Sequence, residues 1–163
     1  MNEQKKAFLQ TEFIPLLSKL KADDKGKWGV LNAQQMVEHF EDSIQNASGK
    51  LQLPVLNSGE TLVGYRAFLM SEQPMSENIK NPLMTEEPAA LKAPDMPSAL
   101  AKLQSELDHF FMVHEQDPLL KNNNPFFGEL DYEQQVQFLH KHAMHHLKQF
   151  GLGSVQDSQM THA

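Results

Sequence analysis

Asp131 to Phe150 reads DYEQQVQFLHKHAMHHLKQF and carries four of the chain's eight histidines. Asp131 and Gln134 form a D-x-x-Q start signal: the Asp accepts from the free N–H groups of a first turn, and the Gln reaches back. Gly151 supplies a left-handed stop. Between them Val136, Leu139, Ala143, Leu147 and Phe150 recur at helical spacing, which predicts one amphipathic helix over 132–150. At about 100° per residue, His142, His146 and Gln149 form a second row along one edge of that stripe. His145 points roughly the other way, towards solvent, and His140 lies on the opposite edge.

Histidines at i and i+4 stand one turn apart with both imidazoles on one side. A helix uses this spacing to give two nitrogens to one metal ion. The same pair also arises as the polar edge of an amphipathic face, because four histidines fall between His140 and His146. A metal clamp therefore needs a third ligand from elsewhere in the chain.

The chain has 163 residues, enough for one domain with a sizeable core, and 40% of them are hydrophobic. One domain is expected over 1–150, with a flexible tail over 151–163. There is no cysteine, which excludes disulfides, thiolate zinc sites and a cysteine nucleophile. Any metal must use His, Asp or Glu. The formal charge of −7 without a basic cluster argues against nucleic acid and anionic membrane surfaces. The first ten residues, MNEQKKAFLQ, show no signal peptide, and no apolar run approaches membrane-spanning length. The expectation is a cytoplasmic protein.

Three more helices are expected. The first covers 3–20 through Phe8, Leu9, Phe13, Leu16, Leu17 and Leu20. Pro15 should kink or divide it, with Thr11 available as a cap. Trp28 ends the polar turn that follows. It either packs against a helix end or lines a pocket. The second helix, 32–47, starts with Asn32 as cap and Gln35 three residues on. His39 lies on the edge of its Met36, Val37, Phe40, Ile44 and Ala47 face, and beside the 142/146 pair it becomes the candidate third ligand. Asp42, one turn later, either orients His39 through its other ring nitrogen or is a solvated surface carboxylate.

The third helix, 97–115, starts at Pro97 or Ser98 and buries Leu100, Leu103, Leu107, Phe110 and Phe111. His114 falls within that stripe. It is either structural near a helix C-terminus or a pocket group. Residues 48–95 lose periodicity and hold most of the prolines, so they read as a long irregular crossover with one short helix over 62–70. Met70, Met75 or Leu83 in it is expected to wall the histidine cluster. Residues 117–128, DPLLKNNNPFFG, read as a loop whose Phe126 and Phe127 pack down.

The expected fold is thus all-α, a four-helix bundle with a long crossover between helices two and three. WGVLNAQQMVEHF and NPFFGELDYEQQVQFLHKHAMHHLKQFGL, with a mid-helix histidine in one and a His-x-x-x-His pair in the other, resemble the DinB/YfiT-like superfamily of metalloenzymes. Within it they look like a branch of short single-domain bacterial proteins. The resemblance implies a divalent metal, zinc or nickel, on His39, His142 and His146. It also implies a small-molecule substrate, with low-molecular-weight thiols as the co-substrates of transferases and isomerases in the superfamily. Gln149, Asp42, His114 and Trp28 are candidates for the surroundings of the site. No catalytic acid or base carries over, and a homodimer is left open. The competing reading is a non-catalytic helical interaction module whose metal site is vestigial or structural.

Overall fold

A computed structural model describes residues 2–77 and 88–152, and the chain is mostly helical. Leu83 and most of the expected tail lie outside the described residues. The N-terminal helix is divided into α1 (Asn2–Thr11) and α2 (Phe13–Leu17). Pro15 has no N–H to offer the ladder, and the break falls at Glu12, the cap residue of α2. Thr11 does not cap the second piece; its hydroxyl donates back to Ala7 O at 2.7 Å. The helix stops short of residue 20 because the chain tightens after Leu17. Lys19 N then bonds Leu16 O, and Leu20 N bonds Leu17 O.

Sequence signals place the later helices closely. α3 (Ala33–Ser48) opens with both bonds of the Asn32/Gln35 capping box and ends on Gly49 at φ +94°. α5 (Met96–Gln116) starts one residue earlier than expected, because Asp95 caps it, accepting from Ser98 N at 2.8 Å. α6 (Tyr132–Gln149) opens with the Asp131/Gln134 box. In the crossover, α4 (Gly59–Met70) extends the expected short helix by one turn at its start.

The 117–128 loop is a correction. β1 (Asn122–Asn124) and β2 (Gly128–Leu130) form a small antiparallel hairpin with Asn123 opposite Glu129. Asn124 shapes its turn by accepting from the backbone N–H groups of Phe126 and Phe127, at 2.9 and 3.2 Å. These side-chain bonds replace a periodic signal, which three-residue strands are too short to show. Phe127 is buried as expected and meets the Phe138 ring at 5.7 Å.

One core gathers Phe13, Leu17, Met36, Phe40, Ile44, Leu103, Leu107, Phe110, Leu139 and Leu147. α3 packs on α5, and α1, α3 and α4 each reach α6. Leu69 is the one buried residue of α4. Its C-terminal carbonyls are held by α6. Gln137 donates to Leu69 O and Ser71 O at 3.0 and 3.1 Å, and Lys141 donates to Ser71 O at 3.0 Å and to Gln73 O. A cation at a helix C-terminus also answers the helix dipole. No helix among the described residues is long and apolar enough to cross a membrane.

The far end of the crossover is held by a buried carboxylate. Glu38 of α3 accepts from Lys92 N at 2.7 Å, Ala93 N at 3.1 Å and Gln34 Nε2 at 3.2 Å. Removing it strands the two backbone donors, while Gln34 Nε2 keeps Ala93 O at 3.0 Å, and a buried group left unpaired costs about 1–3 kcal/mol. Glu38→Ala should therefore lower stability to urea by about that amount. Hydrogen exchange should quicken at Lys92 and Ala93 while the α6 amides stay protected.

Candidate metal centre

α3 contributes His39, and α6 contributes His142 and His146. One donor nitrogen from each lies within 4.8 Å of the others. No other such cluster of three occurs among the described residues. His142 Nε2 and His146 Nε2 stand 2.8 Å apart. The His39 ring meets both edge-on, at 5.3 and 5.5 Å between centroids. Nitrogens that share one zinc at 2.0–2.1 Å stand about 3.3 Å apart in a tetrahedron. That spacing falls between the 2.8 Å of the pair and the 4.8 Å outer limit. The three histidines are thus close enough to hold a metal ion.

Helix phase explains the convergence. The apolar stripe of α6 turns Leu139, Ala143 and Leu147 into the core, and the row one step round faces α3. His142 and His146 are buried there, at 6% and 4% exposure, whereas His39 at the edge of α3 is half-buried. Phe40 stacks on the His142 ring at 4.6 Å, and Phe138 lies 5.5 Å from it.

This apolar setting favours neutral imidazoles. Burial pushes His142 well below its ordinary value, with His146 and His39 adding to the effect. Burial does the same to His146, helped by His39 and opposed by Gln149. His39 is lowered by burial, offset in part by Asp42 and reinforced by His145. Neutral imidazole is the form that binds metal.

The surrounding residues divide. Gln149 accepts at 2.7 Å from His146 Nδ1 and donates to Trp28 O at 2.9 Å. Trp28 thus acts through its backbone carbonyl, while its ring lies 5.6 Å from His145. Asp42 does not hold the His39 ring; it pairs with Lys92 Nζ at 3.2 Å on the surface. His114 sits at the other end of α6. Its Nε2 faces Ala47 O at 3.3 Å, and its ring packs on Phe110 and Tyr132.

His145 is outside the cluster but is not simply in solvent. It is half-buried, its ring meets His146 at 5.2 Å, and burial lowers its pKa against the raising effect of the nearby Met75 backbone and Glu77. Residues 71–77 therefore cover the flank of α6 next to the cluster. Of the expected wall residues, Met75 reaches this flank through its backbone, and Met70 is exposed. The Phe40 and Phe138 walls and the Trp28 carbonyl were not read from the sequence. An apolar residue beside a ligand looks like any core residue, and a backbone acceptor leaves no residue signal.

No family model matches the chain, and no curated protein or solved structure is significantly similar to it.

The lowered histidines carry a pH signature. Their folded values lie below the ordinary 6.5, so the unfolded chain binds more protons as pH falls. Their contribution to stability is full above about 6.5 and is lost as pH drops below it. The thermal midpoint of the metal-free protein should fall from pH 6.5 towards about 5. A His142→Gln, His146→Gln double variant should show a shallower acid slope by calorimetry.

Proposed function

We propose that this chain is a metal-dependent enzyme that holds one divalent cation on His39, His142 and His146, in the manner of the DinB/YfiT-like superfamily. The observation that carries the reading is the meeting of three imidazoles from α3 and α6 at one point. Zinc or nickel is the cation that the resemblance implies. Imidazole suits both, and the chain has no thiolate to draw a softer ion. In this reading α1 with α2, α3, α5 and α6 form a four-helix bundle, and residues 49–95 are its crossover.

Three imidazoles leave at least one position open, where a divalent cation activates a bound water or thiol, or polarises a carbonyl. The protein's own part is to hold the nitrogens, exclude water with Phe40 and Phe138, and keep the histidines neutral. The substrate is a small molecule. With no cysteine in the chain, any thiol arrives as a co-substrate. Transfer to or from a low-molecular-weight thiol is the leading reaction class, with metal-assisted hydrolysis second. The expected setting is the cytoplasm.

Exposed apolar residues on α4, Val63, Tyr65 and Met70, favour a second reading. There the chain is a helical interaction module, and the cation only braces α3 against α6. An open coordination position separates the two.

Untagged protein should bind about one equivalent of cobalt or zinc. His142→Ala and His146→Ala should each abolish binding, and His145→Ala should retain it. A small thiol added to the cobalt-loaded protein should shift its visible spectrum if a position is open. An unchanged spectrum would favour the closed, structural site, and cobalt uptake lost only in His145→Ala would place the site elsewhere.

A further inference from the structure

We infer that Gln149, locked in place by the Trp28 carbonyl, is a positioning residue that decides which nitrogen of His146 faces the common point. This rests on the metal-site reading above. The hydrogen-bond chain permits a single assignment. Trp28 O can only accept, so the part of Gln149 facing it at 2.9 Å is the amide nitrogen. The amide oxygen therefore faces His146 Nδ1, at 2.7 Å. That oxygen cannot donate, so Nδ1 carries the hydrogen. A neutral His146 then holds its lone pair on Nε2. His142 Nε2, 2.8 Å away, must be the donor between them in the metal-free chain, and its hydrogen has to move to Nδ1 before Nε2 can join His146 on a cation. His142 Nδ1 is left as a bare lone pair, and it is the buried ring nitrogen of this cluster with no partner.

The loop before α3 is shaped around this amide. A Cβ at Gly26 would stand 2.9 Å from Gln149 Cγ, and one at Gly29 would stand 2.9 Å from Gln149 Nε2. Gly29 also has φ +81°, which a side chain would strain. Lys27 N donates to Gln149 O at 2.7 Å. The loop thus grips the backbone and the side chain of one residue. A cation at the common point needs a lone pair from His146, and Gln149 sets that lone pair in place before any cation arrives. A partner on the far ring nitrogen is the usual way a protein fixes a ligating histidine.

Two readouts test this separately. In metal-free protein at mildly alkaline pH, NMR of the nitrogen-labelled chain should find the His146 hydrogen on Nδ1 and the His142 hydrogen on Nε2. Gln149→Leu should leave His146 as a mixture of tautomers and weaken cobalt binding by about 10–100-fold. Gln149→Glu keeps an acceptor on Nδ1 but cannot donate to Trp28 O, so it should restore the tautomer and only part of the affinity. Thermal unfolding checks that each variant is folded. A wild-type His146 with its hydrogen on Nε2 overturns the inference, and that readout needs no variant. Unchanged cobalt affinity in folded Gln149→Leu also overturns it while leaving the metal site standing. Wild-type protein that takes up no cobalt overturns the metal reading itself.

Discussion

A row of polar side chains on a helix can be buried only if each finds a partner, and the edge of α6 that carries His142, His146 and Gln149 is such a row. A buried polar group left unpaired costs about 1–3 kcal/mol. Here the bonds run from His142 to His146, to Gln149, and to the carbonyl of Trp28. That last acceptor belongs to the loop ahead of α3. Satisfying the edge of α6 therefore also fixes the loop that delivers α3, and with it the position of His39.

Three sides of α6 do different work. One buries Val136, Leu139, Ala143 and Leu147 in the common core. The histidine edge faces α3. The third, with Gln137 and Lys141, holds the C-terminal carbonyls of α4. Lys141 is buried there over the Phe68 ring at 4.5 Å, and burial lowers its pKa against the pull of Glu72. The crossover is thus tied to α6 at its middle and, through Glu38, to α3 near its end. Both anchors belong to the helices that carry the three histidines.

The chemistry of the cluster follows from its walls. Phe40 and Phe138 remove water from the His142 ring, and burial then keeps the imidazoles uncharged. Half-buried His39 is the ligand candidate on the side nearer solvent, where Asp42 and Lys92 pair at the surface.

The sequence by itself determined the starts of α3 and α6, the stop of α6, their buried stripes and the shared edge of His142 and His146. These are local facts: a capping box spans three residues, and a shared helix edge needs only 3.6-residue periodicity. It also marked Pro15 as a break, and it offered His39 as a candidate that only the packing of α3 on α6 brought to that edge. Tertiary structure alone decided which partners the polar groups take. Asp42 turned to Lys92 rather than His39, because a surface lysine from the docked crossover lies within its reach. His145 was covered by residues 71–77, which helix phase cannot foresee. Trp28 entered through a carbonyl, and any residue type carries one. The hairpin around Asn124 rests on one side chain bonding two backbone N–H groups, a pattern too short for periodicity to reveal. Spacing within a helix is written in the chain, whereas contacts between distant segments depend on how those segments pack.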